Sequence, residues 1–182
     1  WERARCHGGP GASDDAVTVV PGATEAIFVA ILATVGAGDE VIRFDPSYDS
    51  YEPSVRLAGG RAVRIPLLPP DFAIDWQRVA GAVTPRTRMI VINSPHNPTG
   101  SVLAAADLDS LEELVQRHGL LVLSDEVYEH LVYDGAAHHS VLARPALAER
   151  AFAVFSFGKP YHATGCKTGY CVAPPALTRE VR

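Results

Sequence analysis

The chain predicts an α/β fold of three layers, α/β/α, with a mostly parallel seven-stranded sheet and one antiparallel strand. Three observations predict it. Short apolar, β-branched runs alternate with longer amphipathic stretches, which is the pattern of βαβ crossovers. The short runs are nearly free of polar residues, as expected of strands covered by helices on both faces. The last two runs are joined by only eleven residues, with Gly158, Pro160 and Gly165 among them. That connection is too short for a helical crossover, so the final strand is expected to run antiparallel beside its predecessor.

The strands are read in order as VTVV (Val17 to Val20), EVIRF (Glu40 to Phe44), AVRIP (Ala62 to Pro66), RMIVIN (Arg88 to Asn93), LLVLS (Leu120 to Ser124), FAVFSF (Phe152 to Phe157) and GYCVA (Gly169 to Ala173). Helical patterns run from Thr24 to Val35, Tyr48 to Leu57, Trp76 to Val83 and Ala104 to His118, with a last helix from Pro174 onward. Gly36 and Gly38, the Gly59-Gly60 pair and Gly119 mark helix ends, and Asp75 is the expected N-cap of its helix. Residues 1–14 show no periodicity and are read as an irregular N-terminal remnant. Residues 15–182 are read as one domain.

Composition narrows the function classes. The formal net charge is -5, and the basic residues are scattered, so no nucleic-acid surface is expected. No apolar run approaches a membrane span, and WERARCHGG at the start does not read as a signal peptide. Cys6, Cys166 and Cys171 are an odd number without metal-ligand spacing, which points to free thiols in a reducing, cytoplasmic setting and to no metal. The histidines, His130, His138 and His139 among them, lack a helical ligand spacing and are read as loop or surface residues. The chain starts at Trp1 and stops at TREVR, and both ends look cut.

In an open α/β sheet, ligands bind beyond the carboxyl ends of the strands. Five strand ends carry PGATEA, DPSYDSY, SPHNPTG, DEVYEH and GKPYHATGCK. Pro21-Gly22-Ala23-Thr24 leads into a helix N-terminus, whose free N–H groups and dipole suit a phosphate. Neither a GxGxxG nor a GxxxxGK[ST] pattern is present, which argues against a dinucleotide or P-loop nucleotide. Lys159 follows the apolar run AFAVFSF and Gly158, with Lys167 eight residues on. Burial at a strand end would favour a neutral amine, nucleophilic towards a carbonyl. Asp125 follows an apolar strand. Taken alone it is an ordinary helix N-cap. Facing a pyridine nitrogen, it would keep that nitrogen protonated, and a lysine with such a partner is what pyridoxal phosphate asks of a protein. Tyr128, three residues on, would share a side of a first helical turn with it. Asn97 lies in a turn stiffened by Pro95 and Pro98, and Tyr48 could stack on a flat ring or fill the core.

PGATEA, DPSYDSY, SPHNPTG, SDEVYEH and SFGKxYHxTGxKxGY, in this order, resemble the fold-type I pyridoxal-phosphate aminotransferases of classes I and II. Within them the chain most resembles the kynurenine and methionine aminotransferase branch, over about Asp15 to Arg182. The resemblance implies that residues 15–182 are the cofactor-binding large domain without the C-terminal small domain. It implies pyridoxal 5'-phosphate as cofactor, amino-acid and 2-oxo-acid substrates, and a homodimer. Position by position, it implies Lys159 as the Schiff-base lysine and proton shuttle, and Asp125 as partner of the pyridine nitrogen. Tyr128 and Asn97 would bond the ring oxygen, and Tyr48 would stack on the ring. Ala23, Thr24, Ser156 and Lys167 would hold the phosphate. The chain departs from the pattern at Cys166, where the branch usually has tryptophan, and at Pro160, directly after the lysine.

The motifs bind a cofactor rather than a substrate, so a carbon–sulfur lyase, a cofactor-sensing domain of a transcription regulator and an inactive remnant stand as alternatives. Two further expectations follow. The Ser94-Pro95 or Asn97-Pro98 bond is expected to be cis, since a tight turn aiming a side chain is where that isomer occurs. Apolar surface is expected near the crevice mouth and on the last helix.

Overall fold

The computed structural model describes residues 14–182. The N-terminal remnant read from the sequence falls, save Asp14, outside the described residues. Seven strands form one sheet: β1 (Val17–Val20), β2 (Glu40–Asp45), β3 (Arg61–Pro66), β4 (Thr87–Asn93), β5 (Leu121–Asp125), β6 (Ala151–Ser156) and β7 (Gly169–Val172). The spatial order is β1-β7-β6-β5-β4-β2-β3. β2 to β6 pair in parallel, while β7 pairs antiparallel with both β6 and β1. The short link before GYCVA therefore does reverse the chain, as the sequence predicted. The helices are α1 (Ala23–Thr34), α2 (Tyr51–Leu57), α3 (Trp76–Ala82), α4 (Ala105–His118), α5 (Pro145–Ala148) and α6 (Pro175–Val181).

Alternation along each strand divides the core in two. Ile42, Ile90, Ile92, Val122, Ala153 and Phe155 face one side, where Val79 of α3 and Leu108, Leu111 and Val115 of α4 cover them. Val41, Met89, Val91, Leu121, Leu123, Phe152 and Val154 face the other, under Ile27 and Ile31 of α1 and Tyr51 and Val55 of α2. Continuing the two-residue period past Val91, Leu123 and Val154 fixes the aim of the polar ends. Asn93, Asp125 and Ser156 fall on the α1/α2 side.

Helix ends follow local chemistry. Asp75 accepts from the Arg78 N–H at 3.0 Å and caps α3. Asp107 accepts from the Ala104 N–H at 2.8 Å at the start of α4, and its other oxygen accepts from Trp76 Nε1 at 2.8 Å. The second helix starts at Tyr51 rather than Tyr48, after a bend at Pro46 and a turn at residues 49–50. The segment from Val141 to Ala148, a short 3₁₀ turn and α5, carries too little periodicity to be read from sequence.

Ser94-Pro95 and Asn97-Pro98 are both cis, as are Asp45-Pro46 and Pro69-Pro70. The last helix does not expose the apolar surface expected of it. Val181 is buried, because α6 packs onto α1 and β1. The large exposed apolar side chains include Phe28 and Leu32 on α1 and Tyr161 on the loop that carries Lys159. Among the described residues no helix is long and apolar enough to cross a membrane.

Candidate active site

A cavity of about 450 Å³ opens where five strands end. Its walls include Ala23 and Thr24 from the start of α1, Tyr48 after β2, and Asn97 after β4. Asp125 and Tyr128 come from β5 and the turn beyond it, and Ser156, Lys159 and Lys167 from β6 and the loop to β7. All nine side chains singled out in the sequence thus border one space.

The loop after β6 differs from expectation in one respect. Lys159 is exposed, not buried, because it sits three residues past the end of β6, at the mouth of the cavity. Its Nζ lies 5.6 Å from the centroid of the Tyr128 ring, within range of a cation–π contact. Lys167 is also exposed, with φ 48, a left-handed conformation that costs a lysine about 1 kcal/mol and aims the segment back toward α1.

At the other wall, the N-cap of α1 is Gly22 at φ 95, and no side chain caps the helix. Its leading N–H groups are therefore available at the cavity, where the helix dipole favours an anion. β7 comes so close here that a Cβ on Gly169 would lie 2.7 Å from Phe155 O and 2.8 Å from Ala23 N. Thr24 Oγ1 and Tyr48 OH lie 3.1 Å apart, joining this corner to the loop after β2.

Asp125 is the buried carboxylate of the site. It is 3% exposed, and burial pushes its carboxyl up to about 6 from 3.8, against the hydrogen bonds it accepts. Oδ2 accepts from the Tyr51 phenol at 2.7 Å, and Oδ1 from the Val127 N–H at 3.3 Å. It does not cap a helix: Glu129 N–H to Glu126 C=O and Leu131 N–H to Tyr128 C=O are bonds of successive turns. Tyr128 accordingly stands on a turn rather than a helix.

Three residues of this region were missed in the sequence. Tyr51 lay inside the helical pattern Tyr48 to Leu57, Asn93 at the end of RMIVIN and Glu126 inside DEVYEH, and none of the three was singled out. Asn93 was visible only as the polar last residue of RMIVIN. Glu126 faces away from the cavity side, accepting from Ser124 Oγ at 2.8 Å and lying 2.9 Å from His138 Nε2. His138 lies on a loop, as read from the sequence, but its side chain is only 6% exposed. His96 is likewise buried, with Nδ1 2.7 Å from Thr99 Oγ1, and burial lowers its pKa. Cys166 is exposed and Cys171 buried, and both are free. Burial pushes the Cys171 thiol up to about 12.

Comparison with known proteins gives this site its class. Residues 3–182 match the family Aminotransferase class I and II, and the chain belongs to it. It is 51% identical over 178 residues to the methionine aminotransferase of Escherichia coli, covering 98% of this chain and 46% of that protein. It is 40% identical over 177 residues to mouse kynurenine–oxoglutarate transaminase 1, covering 91% of this chain and 42% of that one. A crystal structure of an E. coli protein assigned a methionine aminotransferase function superposes with TM-score 0.96 at 49% identity, over 99% of this chain and 48% of the other. The chain thus spans about half the length of the curated relatives it matches.

The family depends on pyridoxal phosphate, and the residues present fit it. An uncapped helix N-terminus and Lys167 suit a phosphate, the buried Asp125 suits a protonated ring nitrogen, and a primary amine, Lys159, stands at the mouth.

Proposed function

We propose that this chain carries the cofactor site of an aminotransferase that converts an amino acid to a 2-oxo acid, with residues 15–182 as its cofactor-binding large domain. One observation carries the reading: a buried carboxylate, Asp125, and a lysine amine, Lys159, border a single cavity with an uncapped helix N-terminus. Pyridoxal phosphate, when bound, supplies an aldehyde for condensation with an amine and an electron-withdrawing ring.

The residues divide that work. Lys159 Nζ would hold the cofactor and would take up the proton released from the substrate carbon. Asp125, whose carboxyl burial pushes up to about 6, would still favour its charged form at neutral pH and would hold the proton on the ring nitrogen. Asn97 and Tyr128 would orient the cofactor ring by hydrogen bonds, and Tyr48 would pack against it. Ala23, Thr24, Ser156 and Lys167 would hold the phosphate through N–H groups, hydroxyls and one charge.

Substrates with the side chains of methionine or kynurenine are suggested by the relatives' names. A cytoplasmic homodimer is part of the same proposal. Phe28 and Leu32, one helical turn apart on α1, are exposed on a helix that is apolar nearly all round, as a surface awaiting a partner would be.

Borohydride reduction of the chain with pyridoxal phosphate, followed by peptide mapping, tests the proposal. The cofactor is expected on Lys159 alone and absent from Lys159→Ala. An adduct on Lys167, or none at saturating cofactor in a folded sample, overturns it.

A further inference from the structure

β5 ends on a carboxylate that is held as well as buried. Leu121, Leu123 and Asp125 alternate onto one face of the sheet, and Tyr51, the first residue of α2, packs in the same cluster as Leu121 and Leu123. The Tyr51 phenol donates to Asp125 Oδ2 at 2.7 Å, and the two residues are 2% and 3% exposed. The remaining bond, from the Val127 N–H to Oδ1, is longer at 3.3 Å. Packing alone does not call for this hydroxyl. A phenylalanine would fill the same space without the cost of desolvating an O–H.

The phenol is fixed in turn. The Tyr51 ring meets Tyr48 edge to face, with centroids 5.7 Å apart and planes at 79°. The Tyr48 hydroxyl lies 3.1 Å from Thr24 Oγ1 at the head of α1. Burial first, and then the Asp125 charge, push the Tyr51 pKa well above its usual value, so Tyr51 remains a donor.

We infer that Tyr51 is a positioning residue for Asp125: its phenol fixes the direction of the carboxylate and favours the charged form that a cationic ring nitrogen requires. This rests on the proposed pairing of Asp125 with the cofactor ring. Burial, aided by the neighbouring Glu126, drives the Asp125 carboxyl upward, and the Tyr51 and Val127 bonds oppose that rise. Tyr48, Tyr128, Lys159 and Lys167 are the other titratable groups bordering the cavity. Without the Tyr51 hydroxyl, Asp125 would stay protonated further into the neutral range and present an O–H to another donor.

Carbon NMR titration of the Asp125 carboxyl in the full chain, without cofactor, tests this directly. Tyr51→Phe is expected to raise the midpoint by about one pH unit, a tenfold change in proton affinity. Fluorotyrosine placed at position 51, a stronger donor of nearly the same shape, is expected to lower it, and remains readable if Tyr51→Phe does not fold. Midpoints that superpose on the parent chain overturn the inference. With pyridoxal phosphate, Tyr51→Phe is expected to weaken binding about tenfold in the parent chain and not at all in Asp125→Asn. Equal losses in both backgrounds also overturn it. A parent chain that takes up no cofactor would count against the proposed function, while the titration still decides the role of Tyr51.

Discussion

Asn93 Nδ2 donates to the main-chain carbonyl of Asp125 at 2.8 Å, and Asn93 Oδ1 accepts from the Asn97 N–H at 2.7 Å. One buried amide therefore joins two elements of the cavity, the end of β5 and the turn after β4. Asn93 and Asp125 are register partners in the sheet, which brings the first bond into reach. The Ser94 N–H adds a bond to the same Asp125 carbonyl at 3.1 Å.

Replacing Asn93 by Ala leaves a buried carbonyl with one partner fewer and an amide N–H with none from this side chain. The expected loss of folding stability is about 2–3 kcal/mol, as for unsatisfied buried polar groups. Urea unfolding measures it. Asn93→Asp keeps the acceptor for Asn97 but removes the donor to Asp125, so it too is expected to destabilise. An unfolding midpoint equal to that of the parent chain for both variants would show that the bridge does not matter.

Gly169 should not tolerate a side chain. A Cβ there would approach Phe155 O to 2.7 Å and Ala23 N to 2.8 Å, so β7 or the first turn of α1 must shift. Gly169→Ala is expected to cost about 1–3 kcal/mol and to weaken binding of inorganic phosphate or pyridoxal phosphate. Gly165→Ala, where a Cβ meets nothing within 4 Å, is the control and should be near neutral. Thermal melts of the two variants side by side give the comparison.

Lys167 borders the cavity, and its proposed role is to supply charge and no chemistry. Lys167→Ala is expected to weaken pyridoxal phosphate binding by about tenfold, the scale of one charge-assisted hydrogen bond. Reductive trapping on Lys159 should persist once the cofactor concentration is raised. Titration of the cofactor at low and high salt reads the effect, and the variant should lose most of the parent chain's salt dependence. Unchanged affinity would remove Lys167 from the phosphate site.

The pH dependence of folding should show two opposite contributions. Glu40 accepts from Arg61, Thr84 and Arg86, and the Arg61 bond foremost holds its pKa near 2. Glu52, bonded by Arg64 and Arg43, is likewise held at about 2. A depressed carboxylate stabilises the fold above its unfolded value of 4.5 and loses that stability as pH falls toward about 2. Asp125 is raised, so its sign is reversed. Its contribution is complete below the ordinary 3.8 and is lost as pH rises through about 6. Without cofactor, Asp125→Asn should flatten the decline of stability between about 4 and 6, and Glu40→Gln should flatten the acid limb. Unfolding midpoints across pH check both, and parallel curves for parent and variants would contradict them.

The sequence by itself determined the order of strands and helices, because βαβ periodicity and marked helix ends are local properties. It determined the antiparallel turn of β7, since an eleven-residue link with Gly158, Pro160 and Gly165 cannot hold a crossover helix. The strand-end motifs were legible, because an open parallel sheet gathers those ends at one edge, while the choice of nine residues within them came from the family resemblance. Only the tertiary structure decided how the side chains meet. Tyr51 lies 74 residues from Asp125, and no local pattern couples a helix start to a strand end at that distance. The exposure of Lys159 and the burial of His138 against Glu126 were decided in the same way. They depend on which loops pack together, and loop packing follows from three-dimensional contacts rather than from the period of the chain.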